Sequence, residues 1–267
     1  MLAIDQIYNM DCLEGMKQIP DNSVDCIICD LPYEVLHKNN ENVTWDRLIP
    51  FEPLWEAYLR IAKDNAPIIL FGQGMFTAQL MMSQPKLWKY NLIWEKGRAT
   101  GFLNANRMPM RSHEDIIVFY RKQPVYNPQF RKGDSHPQGN GEHKRKNQCY
   151  GEFNDSRKNI AKLYDDDYIK VVPPTGHCFP MSVLHFNKEH NADSWHPTQK
   201  PVDLLRYLVL TYSNNGDTIL DNCMGSGTTA IACIREHRHF IGFELNEEYF
   251  IKASRRIKDE LSQPSLF

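Results

Sequence analysis

The sequence lacks a long hydrophobic run, because no apolar stretch reaches the roughly 20 residues that a membrane helix requires. It also lacks an excess of charge, since 31 Lys and Arg residues face 33 Asp and Glu residues for a net charge of -2. Such a protein does not coat nucleic acid with its whole surface, so any nucleic-acid site is a local patch. Low-complexity tracts and repeats are absent, and the composition excludes collagen, coiled coil and wholesale disorder.

The sequence also lacks the signs of a disulfide framework and of a phosphate-binding loop. The seven cysteines are spread along a chain with no secretion signal, which favours free thiols and a cytoplasmic protein. Cys26 and Cys29 have the spacing of half a zinc site, but strand residues three apart point to opposite faces. The His and Cys residues between positions 143 and 178 form no paired motif, so no metal site is predicted. No Gly-x-x-x-x-Gly-Lys-Ser/Thr loop occurs, which argues against NTP hydrolysis.

Short apolar runs alternate with helical periodicities along most of the 267 residues. The predicted strands are Ile4–Tyr8, Val24–Cys29, Pro67–Phe71, Asn91–Trp94, Ile116–Tyr120, Thr218–Leu220 and Phe240–Phe243. The predicted helices are one after Pro53 and those over Met75–Met82, Pro201–Tyr212, Ile231–Arg235 and Glu247 to about Leu261. This α/β alternation predicts a mostly parallel sheet wrapped by helices.

Between residues 122 and 194 the sequence changes to Pro, Gly, Asn, Asp, His and basic residues, with few apolar runs long enough for a core strand. We expect an irregular insertion there. The chain then divides into an α/β part over residues 1–121, the insertion over 122–194, a second α/β part over 195–262 and a tail over 263–267.

The strongest local signal is a strand that runs into a Gly-x-Gly turn and opens a helix, over residues 219–229 (ILDNCMGSGTT). Gly225 and Gly227 let a ligand approach the backbone closely, although a tight turn also needs glycine for steric reasons. About 20 residues on, the next strand ends at Glu244, and an acid there typically accepts hydrogen bonds from ribose hydroxyls. In the alternative interpretation, Glu244 caps the helix that begins near Asn246.

The second signal is Asp30-Leu31-Pro32-Tyr33 at the end of a buried-looking strand, where ligand sites of open α/β sheets lie. An acid and a main-chain carbonyl can accept the two hydrogens of a ring amine, and a Tyr can stack on the ring. We interpret the motif as a pocket for a base extruded from a duplex. An ordinary strand-ending turn is the alternative.

With His196-Pro197-Thr198-Gln199-Lys200-Pro201 between them, the two motifs resemble the S-adenosylmethionine-dependent DNA amino-methyltransferases of the β group. In that group the catalytic motif precedes the cofactor motif, and a target-recognition segment lies between them. The resemblance covers nearly the whole chain and extends to the small solitary enzymes of phages and prophages. It implies a Rossmann-like methyltransferase fold, with a catalytic half over 1–121, a target-recognition insertion over 122–194 and a cofactor-binding half over 195–262.

The resemblance also implies roles for single residues. Asp30 and the Pro32 carbonyl would bind the target amino group while Tyr33 stacks on the base, and the methyl group would pass directly to nitrogen. Asp11 would receive the adenine amino group of the cofactor, and it also suits an N-cap. The residues implied to hold S-adenosylmethionine are Asp11, Cys12, Asp30, Thr198, Lys200, Asp221, Gly225, Ser226, Gly227, Thr228 and Glu244.

The first motif residue bears on the target base. In the family an Asp there leans toward N6 of adenine and a Ser toward N4 of cytosine, so Asp30 implies an adenine-N6 methyltransferase acting on double-stranded DNA. Leu31 replaces the usual proline of Asp-Pro-Pro-Tyr. The alternatives are an N4-cytosine enzyme, an RNA methyltransferase and an inactive DNA-binding or clamp-binding protein. No Pro-Cys dipeptide occurs, which disfavours a cytosine-carbon methyltransferase.

Basic residues predicted to contact DNA form two groups. The first precedes the strand at 116–120 and comprises Arg98, Arg107, Arg111 and His113. Between residues 131 and 162, eight basic residues against four acids give a local balance of +4. From this stretch we select Arg131, Lys132, Lys144, Arg145, Lys146, Arg157 and Lys158. A solvated loop is the alternative interpretation.

The last five residues, Gln263-Pro264-Ser265-Leu266-Phe267, resemble the Gln-x-x-Leu-Phe peptides that dock on the bacterial sliding clamp. A tail that packs on its own domain is the alternative. Pull-downs with and without these residues separate the two. A homodimer and a monomer both stay open, and no membrane partner is predicted.

Overall fold

The structure is a computed structural model, and it describes residues 2–33, 47–133, 173–188 and 199–262. Its strands are β1 (Gln6–Tyr8), β2 (Cys26–Cys29), β3 (Ile68–Gly72), β4 (Trp88–Thr100), β5 (Arg111–Phe119), β6 (Arg131–Lys132), β7 (His177–Cys178), β8 (Val183–Phe186), β9 (Thr218–Asp221) and β10 (His239–Phe243). The helices are α1 (Cys12–Met16), α2 (Phe51–Ile61), α3 (Met75–Ser83), α4 (Val202–Tyr212), α5 (Thr228–Arg235) and α6 (Glu247–Leu261), and a 3-10 turn covers Phe102–Asn104.

Eight of these strands form one sheet in the order β1-β10-β9-β2-β3-β5-β4-β8. The first five in this order run parallel to one another, whereas β5 is antiparallel to β3 and to β4. β8 runs parallel to β4. The predicted Rossmann-like α/β architecture is confirmed, with a reversal at β5 because a hairpin, rather than a crossover helix, joins β4 to β5.

Helices cover both faces of the sheet. Tyr58 of α2 and Phe76 of α3 belong to the apolar cluster on one face, and Leu208 of α4 belongs to the cluster on the other. Within β2, Cys29 lies in the first cluster and Cys26 in the second, which confirms that these cysteines point to opposite faces. A strand covered on both sides is apolar throughout, and this explains the unbroken Cys-Ile-Ile-Cys run.

The local sequence determines where the helices begin. α2 begins at Phe51, so Pro53 lies in its first turn, where a missing N–H costs no helical hydrogen bond. Asp11 caps α1 and Asn246 caps α6, each with a side-chain oxygen that accepts a backbone N–H of the first turn. No helix within the described ranges is both long and apolar enough to cross a membrane.

The chain separates into two compact units, one formed by Met1–Asn127 with Met181–Phe267 and the other by Pro128–Pro180. The second unit covers fewer residues than the predicted insertion over 122–194, because β8 pairs with the main sheet and so belongs to the first unit. In β8 Leu184 is the one buried residue, so this short strand has too weak a hydrophobic pattern to be predicted. Within the second unit β6 pairs antiparallel with β7.

Candidate active site

A cavity of about 660 Å³ lies at the carboxyl ends of the parallel strands β1, β2, β9 and β10. Its wall includes a residue from the segment that follows each strand, namely Asp11, Asp30, Asn222 and Glu244. Ligands of open α/β sheets bind at this edge of the sheet. Cofactor and small-ligand sites typically have volumes of about 300–1,000 Å³, so the cavity can hold such a molecule.

The turn from β9 into α5 forms one side of the cavity. Gly225 and Gly227 have φ angles of 52° and 77°, a left-handed conformation that side chains disfavour. Asp221 holds the turn, because one oxygen accepts the Cys223 N–H at 3.1 Å and the other accepts the Thr229 hydroxyl at 2.6 Å. Burial raises the pKa of Asp221 to about 6. A backbone held in this way presents itself to a ligand without an obstructing side chain.

Glu244 connects this turn to the end of β10. Its Oε2 accepts the Gly225 N–H and its Oε1 accepts the Asn246 N–H, both at 2.8 Å. The carboxylate therefore contacts the start of α6, as the capping interpretation holds, and it also lines the cavity, as the ligand interpretation requires. Burial raises the pKa of Glu244 above its ordinary value. Each carboxylate oxygen has a second lone pair with which to accept a ligand hydroxyl.

Asp11 is placed in the same way at the end of β1. Its Oδ1 accepts the N–H groups of Leu13 and Glu14 at 2.8 and 3.2 Å, which confirms its role as the N-cap of α1. Asp11 and the neighbouring Cys12 also line the cavity. Because both capping bonds use Oδ1, the cap leaves Oδ2 able to accept a hydrogen bond from a ligand.

Asp30 directly follows β2, and both of its oxygens have partners. The Tyr33 hydroxyl donates to Oδ1 at 2.7 Å, and the Lys200 ammonium group donates to Oδ2. The Tyr33 ring packs on Phe76, with 4.7 Å between the ring centroids. Asp30, Pro32 and Tyr33 all line the cavity, so the motif that the sequence singled out shares one cavity with the Gly225 turn.

A row of buried charges continues from Asp30 through Lys200, Glu114 and Lys96. The Nζ atom of Lys200 lies 3.3 Å from Oε2 of Glu114, and the Nζ atom of Lys96 lies 2.6 Å from Oε1. The side chains of Lys200, Glu114 and Lys96 are 9%, 12% and 3% exposed, and that of Asp30, which faces the cavity, is 23% exposed. We call these four residues the buried charge row. Two cations alternate with two carboxylates, so each buried charge has an opposite partner.

The buried charge row shifts the pKa values of its members. Burial raises the pKa of Asp30, although Lys200 offsets part of this shift. Burial acts on the pKa of Glu114 in the same direction, but Lys200 and Lys96 outweigh burial and lower the Glu114 pKa to about 2. Burial lowers the pKa of Lys200, but the carboxylates of Asp30 and Glu114 outweigh burial and raise it overall. Lys200 therefore stays cationic and favours the ionised form of Asp30.

The sequence alone gave Lys96 no role, and it places Glu114 only in the stretch before residues 116–120 that is expected to border the base pocket. The register between β4 and β5 sets Glu114 opposite Trp94. Lys96 follows Trp94 by two residues on the same strand. Alternation along a strand then puts Trp94, Lys96 and Glu114 on one face. The available signal was Trp94-Glu95-Lys96, in which Lys96 shares the face of a large apolar residue.

The structure brings most of the predicted cofactor and catalytic residues together. Those that line the cavity are Asp11, Cys12, Asp30, Pro32, Tyr33, Lys200, Asp221, Gly225, Ser226, Thr228 and Glu244. Gly227 is not part of the cavity wall and instead forms the boundary of α5. The predictions that lie outside the described residues are Thr198, Lys144, Arg145, Lys146, Arg157, Lys158 and the tail 263–267.

The predicted DNA contacts that are described fall in both units. Arg111 lines the cavity, and Arg98, Arg107 and His113 are exposed on the β4–β5 hairpin. Arg131 and Lys132 form β6 of the second unit, where both are exposed.

The fold is that of the Rossmann-like methyltransferases, and in this chain a Gly-rich turn, an acid after the next strand and an Asp-x-Pro-Tyr motif line one cavity. A family profile for N6 and N4 methyltransferases, described as DNA methylase, matches residues 24–255. The chain therefore belongs to this family of DNA amino-methyltransferases.

Curated relatives agree with this assignment. The chain is 26% identical over 260 residues to the Type II methyltransferase M.HpaI of Haemophilus parainfluenzae, covering 94% of this chain and 74% of that protein. It is also 26% identical over 281 residues to the Type II methyltransferase M1.MboII of Moraxella bovis, covering 95% and 96%.

Solved structures share the fold. The crystal structure of the M1.HpyAVI–SAM complex superimposes with a TM-score of 0.59 at 22% identity, covering 94% of this chain and 98% of that one. The PvuII DNA methyltransferase, described as cytosine-N4-specific, gives a TM-score of 0.63 at 15% identity, covering 96% and 90%.

Proposed function

We propose that this chain transfers a methyl group from S-adenosylmethionine to the N6 amino group of adenine at a specific site in double-stranded DNA. The observation that carries the proposal is that the Gly225 turn and Asp30 line one cavity. The turn suits a nucleoside cofactor, and Asp30 suits the amino group of a base. Membership of the family supplies the reaction class, and an Asp at the first motif position supports adenine over cytosine.

The cavity wall fits S-adenosylmethionine, which supplies an electrophilic methyl group on its sulfonium sulfur when bound. Glu244 offers acceptor oxygens for the ribose hydroxyls, and Asp11 offers one for the adenine amino group. Gly225 has no side chain to block the approach of the methionine portion. Phe243 contributes an apolar surface to the same wall.

On the base side, Asp30 accepts a hydrogen bond from the exocyclic amino group and so favours the pyramidal, nucleophilic nitrogen of the transition state. The same carboxylate can take up the proton that the nitrogen releases once it is methylated. Tyr33 and Lys200 hold the two oxygens of Asp30 in place. No covalent bond between protein and base is needed, and we place the flipped base against the Tyr33 ring.

The Glu244→Gln variant tests the cofactor side of the cavity. We expect its dissociation constant for S-adenosylmethionine to rise about tenfold or more, because hydrogen bonds to a charged acceptor are among the stronger ones. Isothermal titration calorimetry measures this constant. Glu247 is an exposed carboxylate in the first turn of α6, so Glu247→Gln is the matched control. It should bind S-adenosylmethionine like the wild type. An unchanged constant in Glu244→Gln would remove this residue from the cofactor site.

The reaction itself is tested with mixed-sequence duplex DNA and methyl-labelled S-adenosylmethionine. After digestion to nucleosides, mass spectrometry identifies the methylated base, and a parallel reaction uses duplex RNA. N6-methyladenine from DNA is the expected product. N4-methylcytosine would overturn the choice of base while keeping the family, and label in RNA alone would overturn the DNA substrate.

A further inference from the structure

The loop between β4 and β5, residues 101–110, carries apolar side chains that this protein leaves in solvent. Leu103 is 96% exposed and Phe102 is 78% exposed, the two highest values for large apolar side chains in the part of the chain that the structure describes. Both belong to the 3-10 turn Phe102–Asn104. We call Phe102 and Leu103 the apolar tip. Single exposed apolar residues are common, but two adjacent ones at the end of a hairpin form a projection that packing against the described residues does not explain.

The apolar tip stands at the rim of the cavity that contains Asp30. Thr100 and Gly101, the two residues before the tip, line that cavity, and so does Arg111 at the start of β5. Thr100 pairs with Arg111 across the hairpin, and the Arg111 guanidinium donates a hydrogen bond to Oε1 of Gln73 at 2.7 Å. The hairpin therefore holds the residues next to the apolar tip at the mouth of the cavity, where a flipped nucleotide would enter.

The surroundings of the tip are cationic. Residues 97–113 contain Arg98, Arg107 and Arg111 and no Asp or Glu, in a chain whose net charge is -2. All three arginines are exposed. An apolar projection between cations matches a nucleic-acid duplex, which presents phosphates on the outside and stacked bases within. The same charges disfavour the packing of two such hairpins on each other, because like charges would meet.

We propose that the apolar tip is a wedge that enters the DNA base stack and fills the space left when the target base swings into the cavity. This inference rests on the proposed function, since it requires a base to leave a duplex. Flipping costs the stacking and pairing of that base, and inserted apolar side chains offset part of the cost by contacting the neighbouring bases. Phe102 supplies an aromatic face for this contact, and Leu103 supplies an aliphatic one.

The double variant Phe102→Ala/Leu103→Ala tests the wedge on a synthetic duplex that contains the site mapped by the nucleoside assay. We expect it to methylate the intact duplex about tenfold or more slowly than the wild type. If the base opposite the target is replaced by an abasic site, the target is already unpaired, and the variant should come within about twofold of the wild type. Ile251→Ala removes a 58% exposed side chain from α6 and should match the wild type on both duplexes.

Three other outcomes would overturn the proposed wedge. An equal loss on both duplexes would make the tip a contributor to affinity alone, and an unchanged rate on both would give it no role in flipping. A drop in the mass measured by light scattering would make the tip a contact between copies of this chain. All three results overturn the wedge while the wild type still methylates DNA. A wild type that transfers no methyl group to any DNA rejects the proposed function instead.

Discussion

We expect the Asp30→Asn variant to transfer methyl groups to DNA about 10²- to 10³-fold more slowly than the wild type, the usual cost of losing one oriented charge stabiliser at a reacting centre. Asn keeps the size of the side chain but replaces one acceptor oxygen with an N–H donor. That donor would face either the Lys200 ammonium group or the hydrogens of the target amine. In the second orientation the amine loses the acceptor that favours its nucleophilic form, and in the first the Lys200 ammonium group loses the acceptor through which it holds Asp30 in place.

Two measurements separate this loss from a general defect. Single-turnover transfer at saturating cofactor reports the chemical step, and calorimetry reports cofactor binding, which we expect to change far less than the rate. Asp64→Asn is the matched control, because Asp64 is 60% exposed and pairs with Lys122 at the surface. A wild-type transfer rate in Asp30→Asn would contradict the assigned chemistry.

Glu114→Gln should lower the free energy of unfolding by about 3–5 kcal/mol, the usual cost of removing one partner from a buried ion pair. Glu114 lies between the Lys96 and Lys200 ammonium groups, and Gln leaves both cations in the interior with Asp30 as the one remaining carboxylate of the row. Urea unfolding measures the change. Glu95→Gln, on the neighbouring strand but 48% exposed, should unfold like the wild type.

The pH dependence of stability tests the same contribution. The folded-state pKa of Glu114 is depressed from 4.5 to about 2, so the stability it contributes is present above the ordinary value and is lost as the pH falls through about 2. The unfolding free energy of the wild type should therefore fall across this interval more steeply than that of Glu114→Gln. Equal slopes would show that Glu114 makes no such contribution.

Much of this site could be predicted from the sequence because its parts are local. The Gly225 turn, Glu244 and the Asp30 motif each end an apolar strand, and parallel strands bring their carboxyl ends to one edge of a sheet. Asp11 was predicted both as a cap and as a ligand; the structure confirms the cap and places the residue in the cavity wall.

The remaining features of the site and fold depend on how distant strands pair, and strand pairing cannot be derived from one local stretch of sequence. Lys96 and Glu114 meet because of the register between β4 and β5, which a single sequence does not encode. β8 joins the sheet edge with a single buried side chain, Leu184, so no hydrophobic alternation marks it. Gly227 matches the sequence motif as well as Gly225 does. In the structure, however, it lies at the boundary of α5 and does not line the cavity.

A crystal structure with S-adenosylhomocysteine, the demethylated cofactor, tests most directly whether one cavity serves both cofactor and base. We expect the ribose hydroxyls against Glu244, the adenine amino group against Asp11, and the sulfur atom on the side of the cavity that holds Asp30. The sulfur would then be directed toward the place assigned to the flipped base. A ligand bound outside this cavity, or with its sulfur turned away from Asp30, would show that the cavity does not serve both cofactor and base.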